Sequence, residues 1–376
     1  MRKYLSISWL CVLIVLVGCG STGGSKVTPK PVSAVSSGMP ARPLWEMNIG
    51  STGRFAYITP ILVNDQIFTA SESGTIIALT TEGRVLWQIN AGFRITVGVG
   101  ADEEMVMVGG SRGQLAAFDT KTGRMLWETS IGGEVSAPPL VTSDVAAIRT
   151  LDGRVSGLNR SDGSLKWVYQ RILPSLILHR TAPMSFAQDY IFVGYPGGRL
   201  VVLEQSRGSL AFEENVSIPR GSNELERLTD IASRPVIRDM QVCAAAFQGR
   251  TGCFSLRGGA AMWFRNIPST GGLDIDNEEV FVIGDDGFLY ALDKDLGTEK
   301  WKTEVLAGDR SLRPVAFKDS VTVADSFGFL HFFSRSGEAA GRINVDGSPL
   351  VSAPIMIPDK GILAQTRGGR LVLLAP

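Results

Sequence analysis

The fold of this chain is decided by Gly287-Phe-Leu-Tyr-Ala-Leu-Asp-Lys-Asp-Leu-Gly-Thr-Glu-Lys-Trp301. A glycine opens this stretch, apolar residues follow for the length of one strand, a turn with Asp and Gly comes next, and a tryptophan closes it. Asp and Gly are residues that tight turns between antiparallel strands favour. The stretch therefore predicts a β-hairpin whose second strand carries the tryptophan.

The same phrase recurs along the chain at intervals of about 40 residues, the length of one supersecondary unit in a repeat protein. Its other copies open at Gly74, Gly113, Gly153, Gly198, Gly252, Gly328 and Gly369. The aromatic residue that closes five of them is Trp87, Trp127, Trp167, Phe212 or Trp263. A unit this small cannot bury both of its faces alone, so the copies are expected to stack on one another.

The last copy reaches the end of the chain at Pro376 before its closing strand. Residues 43–49 contain Trp45 but follow no strand of their own, so they supply the missing piece. A proline-initiated strand and a second strand precede the glycine in most copies and complete a four-stranded unit. The sequence predicts an all-β, eight-bladed β-propeller of four-stranded antiparallel blades over residues 43–376, closed by the N-terminal strand.

Residues 1–18 have the organisation of an export signal, because Arg2 and Lys3 precede an apolar run that ends just before Cys19. The run is too short to cross a bilayer. Leu16-Val17-Gly18-Cys19 resembles the lipobox of bacterial lipoproteins, which implies cleavage before Cys19 and lipidation of its thiol, including palmitate. The alternative is an ordinary cleaved signal in which Cys19 is incidental.

Residues 19–42 are rich in Ser, Gly and Pro and predict a flexible, lipidated tether. The residue after Cys19 is Gly20 and not Asp, which by resemblance to enterobacterial lipoproteins favours the periplasmic face of the outer membrane. Lys and Arg number 37, as do Asp and Glu, so no net charge would attract nucleic acid.

Cys243 and Cys253 flank a predicted hairpin with its turn at residues 248–250. They could form a disulfide in an oxidising compartment, or remain two buried free thiols. No histidine lies near them, so no metal site is predicted there. His331 alternates with phenylalanines along a strand, which favours a packed residue over a ligand.

The repeat resembles that of pyrroloquinoline quinone enzymes. A lipobox followed by eight such blades resembles lipoprotein component B of the outer-membrane β-barrel assembly machinery, over essentially the whole chain. Two irregular segments are more specific than the repeat. Residues 174–183 resemble that family's Pro-Ser-Leu-x-Leu-Arg loop, and residues 221–230 resemble its Gly-Ser-x-Glu-x-x-Arg-Leu-Ser-Asp loop.

The resemblance implies that these two loops bind a periplasmic domain of the barrel-forming subunit. The residues it implicates are Leu176, Leu178, His179 or Arg180 at the basic position, Glu224, Arg227 and Asp230. The family's second acidic position is Ala232 here. The alternatives are that the leucines continue a strand of the fourth blade, and that the charged loop is solvated or paired with itself.

These features together predict a non-catalytic scaffold, monomeric within a hetero-complex, without cofactor or metal, and anchored to the outer membrane on its periplasmic face. Unfolded outer-membrane proteins are candidate clients, because exposed strand edges can pair with a client strand. The alternative is a periplasmic quinone-dependent propeller dehydrogenase or another small-ligand-binding propeller. Its usual adjacent cysteine pair is missing, and no nucleophile-elbow motif supports a hydrolase.

Overall fold

The computed structural model describes residues 42–178, 182–305 and 312–375. Over these ranges the regular elements are β-strands, and no helix there is long and apolar enough to cross a membrane. The strands are β1 (Arg42–Asn48), β2 (Tyr57–Ile58), β3 (Ile61–Val63), β4 (Gln66–Ala70), β5 (Thr75–Thr80), β6 (Val85–Asn90), β7 (Val97–Ala101), β8 (Met105–Gly109), β9 (Gln114–Asp119), β10 (Met125–Ser130), β11 (Leu140–Val141), β12 (Ala146–Arg149), β13 (Val155–Leu158), β14 (Leu165–Tyr169), β15 (Ser185–Ala187), β16 (Tyr190–Tyr195), β17 (Arg199–Glu204), β18 (Leu210–Asn215), β19 (Val236–Arg238), β20 (Gln241–Ala245), β21 (Thr251–Ser255), β22 (Ala261–Arg265), β23 (Gly272–Ile275), β24 (Glu279–Ile283), β25 (Phe288–Asp293), β26 (Glu299–Glu304), β27 (Val315–Phe317), β28 (Ser320–Ala324), β29 (Phe329–Ser334), β30 (Ala339–Asn344), β31 (Ile355–Ile357), β32 (Gly361–Gln365) and β33 (Arg370–Ala375).

These strands form eight sheets, each a meander of consecutive antiparallel neighbours. We number the blades in chain order, from blade 1 (β3–β6) through blade 7 (β27–β30). Blade 8 combines β31–β33 with β1, which pairs antiparallel with β33 from Arg42 opposite Ala375 to Asn48 opposite Arg370. The predicted eight-bladed propeller and its closure by the N-terminal strand are therefore confirmed.

Blade 2 departs from the predicted four strands, because β2 adds a fifth. β2 pairs in parallel with β7, and the Tyr57 amide N–H donates to the Thr96 carbonyl at 2.8 Å. The cause is topological. The connection from β1 into blade 1 runs beside the innermost strand of blade 2, whose free edge accepts it.

In most blades the repeat's tryptophan packs against the next blade, as at the junction between blades 2 and 3. The Trp127 indole packs on Gly163, whose φ is +72°, and a Cβ on that glycine would stand 2.5 Å from the ring. Trp127 Nε1 also donates to the Arg160 carbonyl at 2.7 Å. Equivalent indole donors are found at Trp45, Trp87, Trp167 and Trp263. The predicted packing of tryptophan between blades is confirmed.

The core lies between neighbouring blades and not within one. A typical cluster joins Val155 and Trp167 of blade 3 to Ile191, Val193 and Tyr195 of blade 4. Burial of both faces of a strand against a neighbour explains why the second and third strands of most blades are almost continuously apolar. Each blade therefore depends on the next for its stability.

The antiparallel meander gives the ring two different faces. In each blade, the turn between the first and second strands and the turn between the third and fourth strands lie at one end of the ring, which we call the turn face. Residues 102–104 and 159–164 belong to it. The turn between the second and third strands of each blade, which we call its central turn, and the blade-to-blade connections lie at the opposite end, which we call the loop face. The two segments predicted to bind a partner both lie on the loop face.

Candidate partner-binding face

The two longest connections between consecutive blades are residues 170–184, from blade 3 to blade 4, and residues 216–235, from blade 4 to blade 5. Asp230 joins them. Its Oδ2 accepts a hydrogen bond from the Leu178 amide at 2.6 Å, and its Oδ1 accepts one from the Gly197 amide at 3.1 Å. One carboxylate thus ties both connections to the central turn of blade 4.

Asp230 is 3% exposed, so its carboxylate does not reach the surface. Burial raises its pKa, although the amide N–H groups of Leu178 and Gly197 act in the opposite direction. The prediction that Asp230 contacts a partner directly is corrected here, because the connections themselves cover its oxygens. Ala232 is also buried, so neither acidic position of the resemblance lies on the surface.

An ion pair anchors the start of the first connection. Arg171 binds the Glu213 carboxylate in a bidentate manner, at 2.5 and 3.0 Å. Glu213 belongs to β18, the strand that leads into the second connection. Two-point contacts of this kind fix geometry as well as distance, so residues 171–178 have a defined path across the face.

Leu176 is 37% exposed, while Ile177 and Leu178 are half-buried. Residues 171–178 form no strand, so the leucines do not continue blade 4 as one alternative supposed. Leu178 is turned toward a small cavity that Asp230 also lines, and Leu176 faces solvent. His179 and Arg180 lie outside the described residues.

Glu224 and Arg227 lie on a single exposed turn within the second connection. Their charged groups are 3.9 Å apart, and Arg227 Nε donates to the Gly221 carbonyl at 3.1 Å. The turn is built by Glu226, which accepts hydrogen bonds from the Ser222 amide at 2.6 Å and Asn223 Nδ2 at 2.9 Å. The loop is thus paired with itself, and the side chains of Glu224 and Arg227 remain more than half exposed.

Sequence reasoning missed several apolar side chains that the same face exposes. They are Ile172 and Leu225, which are 95% and 70% exposed, together with Ile218 and Phe55. Leu225 lies between Glu224 and Glu226 in an otherwise polar segment, and that isolation was a signal that could have identified it. Ile172, Ile218 and Leu225 lie with Leu176 on the two long connections, whereas Phe55 lies on the connection from blade 8 to blade 1.

The remaining candidate residues lie within blades. Cys243 and Cys253 are directly paired across β20 and β21, with Cα atoms 4.1 Å apart, and a disulfide joins them. The predicted hairpin around residues 248–250 is thus confirmed, and the structure has the disulfide in place of two free thiols. His331 is buried in blade 7 and lies 2.9 Å from Asp325 Oδ2.

Comparisons with known proteins agree on one family. A family model described as outer membrane protein assembly factor BamB matches residues 72–303. A relative of that name from Bordetella pertussis is 31% identical over 367 residues, which cover 96% of this chain and 94% of the relative. The prediction from the lipobox, the blades and the two loops is therefore confirmed at the level of the family.

Solved structures share the fold. The crystal structure of BamB from Moraxella catarrhalis superposes with a TM-score of 0.80 at 24% identity, covering 89% of this chain and 100% of that one. Quinohemoprotein alcohol dehydrogenase from Comamonas testosteroni superposes with a TM-score of 0.68 at 12% identity, covering 89% and 76%. Because a dehydrogenase has the same fold, the fold alone does not identify a function. The family match over most of the sequence does decide the relationship, and this chain belongs to the family of the outer membrane protein assembly factor BamB.

Proposed function

We propose that this chain is a non-catalytic scaffold of the machinery that assembles β-barrel proteins in the outer membrane. Its loop face binds a periplasmic domain of the barrel-forming subunit. The observation that carries this proposal is the pair of long connections that Asp230 locks together, with Leu176 and Leu225 exposed upon them. The relatives' name, assembly factor, supports the same role.

The physical argument is one of preorganisation. Protein interfaces derive most of their affinity from a few apolar anchors surrounded by polar groups. Leu176 and Leu225 supply such anchors, and Glu224 and Arg227 supply charged groups beside them. Because the connections are already fixed by buried hydrogen bonds, binding need not order them, and less entropy is lost.

The proposal places partner binding on the loop face and not on the free strand edges of the rim. The outermost strand carries a β-bulge in every blade, as between Met125 and Trp127 of β10. A bulge interrupts the regular edge that an added strand needs. For unfolded outer-membrane proteins we therefore propose only short, transient pairing at these edges.

Anchoring through a lipid on Cys19 is part of the proposal, and that residue lies outside the described ranges. β1 begins at Arg42 on the turn face, so the chain enters the ring opposite the candidate docking loops. Mass spectrometry of the N-terminal peptide should detect a diacylglycerol on Cys19. Cys19→Ala should shift the protein from the membrane pellet to the soluble fraction, and retention in the membrane would contradict the lipid anchor.

The experiment that tests the docking proposal is affinity purification of the full chain from detergent-solubilised envelopes. The wild type should retrieve the barrel-forming subunit, and Leu176→Ala/Leu178→Ala should retrieve much less. Val85→Ala/Leu86→Ala is the matched control, because these side chains are also exposed but lie on the rim, in β6. Circular dichroism checks that each variant is folded.

Equal recovery by the wild type and the loop variant would place the docking face elsewhere. Failure of the wild type to recover the subunit would reject the docking proposal altogether. The similarity to quinohemoprotein alcohol dehydrogenase is one of fold at 12% identity, and no specific observation favours a shared activity.

A further inference from the structure

Arg149 is a buried cation on the loop face that neither the repeat nor the docking loops explain. It is the last residue of β12 and is 3% exposed. Its Nη1 donates to the Ala182 carbonyl at 2.9 Å, and its Cζ lies 4.8 Å from the centre of the Tyr195 ring. Tyr195 in turn donates its hydroxyl to the Gly153 carbonyl at 2.9 Å. The guanidinium therefore links blade 3 to the start of blade 4.

Burying this guanidinium costs more free energy than burying an apolar side chain in the same space would. Arg149 forms no ion pair within the described ranges, and its Nε is buried there without a hydrogen-bond partner. Burial lowers its pKa to about 10, which still leaves it charged at neutral pH. An apolar side chain of similar volume often stabilises a protein as well as a buried charge does. Fold stability alone therefore does not account for an arginine at this position.

The position of its acceptor suggests what Arg149 does. Asp230 holds the Leu178 amide, and Arg149 holds the Ala182 carbonyl. The exposed Leu176 lies on the same connection, just ahead of these two anchor points. Two buried groups of opposite charge thus hold the two described residues that flank residues 179–181, Leu178 through its N–H and Ala182 through its C=O.

Both groups line the same cavity beneath this connection. Its volume is about 20 Å³, and Leu173, Ile177 and Leu178 lie over it with Pro196. A polar space of this size holds about one water molecule. Backbone hydrogen bonds to buried charged groups are strong and directional, so they hold the connection in place although the space beneath it is not filled by side chains.

We propose that Arg149 is a positioning residue of the docking face. It fixes the second anchor point of the connection at Ala182, so that Leu176 is presented to the partner in one place. This inference rests on the proposed function, because it assigns Arg149 a role in that docking. Arg149 acts through the connection and does not itself touch the partner.

The test compares two arginine variants of the full chain in detergent. Arg149→Met removes the donor and the charge but keeps similar volume. Arg160→Met is the matched control, since Arg160 also belongs to blade 3 but pairs with Asp102 and Glu104 on the turn face. We expect Arg149→Met to weaken binding of the barrel-forming subunit by roughly 2- to 30-fold, the range for substitutions that act indirectly. Arg160→Met should leave that affinity unchanged.

Hydrogen exchange of the free protein provides the second readout. Peptides covering residues 174–182 should exchange faster in Arg149→Met and in Asp230→Asn, but not in Arg160→Met. Unchanged exchange in this segment would overturn the positioning role, whether or not the wild type binds the subunit. Affinity loss of the same size in Arg149→Met and Arg160→Met would also overturn it, because both would then report only a weakened fold.

Failure of the proposed docking function and failure of the positioning role of Arg149 give different results. If the wild type does not bind the subunit, the proposed function fails, and the exchange measurement still decides whether Arg149 holds the connection. If Arg149→Met does not fold, Arg149→Lys takes its place, since it keeps a cation over the Tyr195 ring but loses the planar fork of donors. The same two readouts and the same overturning results then apply.

Discussion

The turn face and the loop face are built from the same repeats, yet their most deeply buried backbone-binding charges lie on the loop face. On the turn face, charges pair with each other across blades. Arg160 binds Asp102 at 2.5 Å and Glu104 at 3.1 Å, and Arg335 binds Glu279 at 3.2 Å. Of these groups only Glu104 is well exposed, so its ion pair with Arg160 contributes little to stability.

On the loop face, the two buried charges Asp230 and Arg149 hold the backbone. Asp230 accepts from the Leu178 amide, and Arg149 donates to the Ala182 carbonyl. The connection that carries the exposed Phe55 is held in the same way. There the Gly53 amide donates to Glu72, and the Gly53 carbonyl accepts from Arg367.

This arrangement explains how an apolar side chain on the loop face remains exposed to solvent. A free loop would fold its leucines and phenylalanines onto the nearest apolar surface, because burial is favourable. Hydrogen bonds to a buried charge keep the backbone of Leu178 from moving, so the nearby Leu176 remains exposed and available to a partner. Polar turns need no such restraint, and the turn face has none of comparable burial among the residues described.

The largest difference between the two faces is expected from Asp230→Ala. It leaves the Leu178 and Gly197 amides buried without an acceptor, so the free energy of unfolding should fall by about 2–4 kcal/mol. Glu104→Ala, which breaks an exposed pair on the turn face, should cost about 1 kcal/mol or less. Urea unfolding followed by circular dichroism measures both. Equal losses of unfolding free energy in the two variants would contradict the difference between the two faces.

The next effect concerns two leucines of similar exposure on opposite faces. Leu225 on the loop face is 70% exposed and Leu296 on the turn face is 67% exposed. Leu225→Ala should weaken binding of the barrel-forming subunit about tenfold, which corresponds to about 1.4 kcal/mol. Leu296→Ala should not change it, and neither variant should alter stability by more than about 0.5 kcal/mol. A binding defect in Leu296→Ala would contradict the assignment of faces.

A smaller effect follows from pH. Burial raises the pKa of Asp230 in the folded protein, so between its unfolded pKa of about 3.9 and that raised value the folded state binds more protons. The stability of the wild type relative to Asp230→Asn should therefore fall as pH rises through this window, and level off above it. Urea unfolding at a series of pH values measures the difference. A relative stability that rises with pH would show that the carboxylate is not buried.

The smallest effect is a difference in salt dependence. In about 1 M salt the screening length is about 3 Å, so the small cost of Glu104→Ala, which removes an exposed carboxylate from an ion pair, should shrink further. The cost of Asp230→Ala should stay the same, because its hydrogen bonds are sheltered from ions. Paired unfolding curves at low and high salt measure both. A cost for Asp230→Ala that halves in salt would place that carboxylate in solvent.

Much of the fold could be predicted because its signals are local. The glycine and the alternating strand recur in each copy and the tryptophan in most, and Trp45 without a strand of its own predicted how the ring closes. The hairpin between Cys243 and Cys253 was predicted in the same way, from residues close in sequence. The parallel strand β2 was not, because its partner β7 lies in another blade and leaves no mark in residues 57–58.

The candidate site was predicted only in part. The two connections were found by their resemblance to a family, and Leu176 lies exposed as that resemblance implied. Asp230 was given a surface role that its burial excludes, and Arg149 was not noticed at all. In the sequence both look like ordinary charged residues, because nothing near them shows that a distant connection will cover them.

The sequence by itself determined the class, the number of blades and the way the ring closes, because each depends on a pattern repeated within a few residues. Only the tertiary structure decided which charged groups are buried and which apolar groups stay exposed. Those outcomes depend on how residues 170–178 and 216–235 pack against each other and against blade 4. Burial is a property of that packing, and residues far apart in the chain create it together.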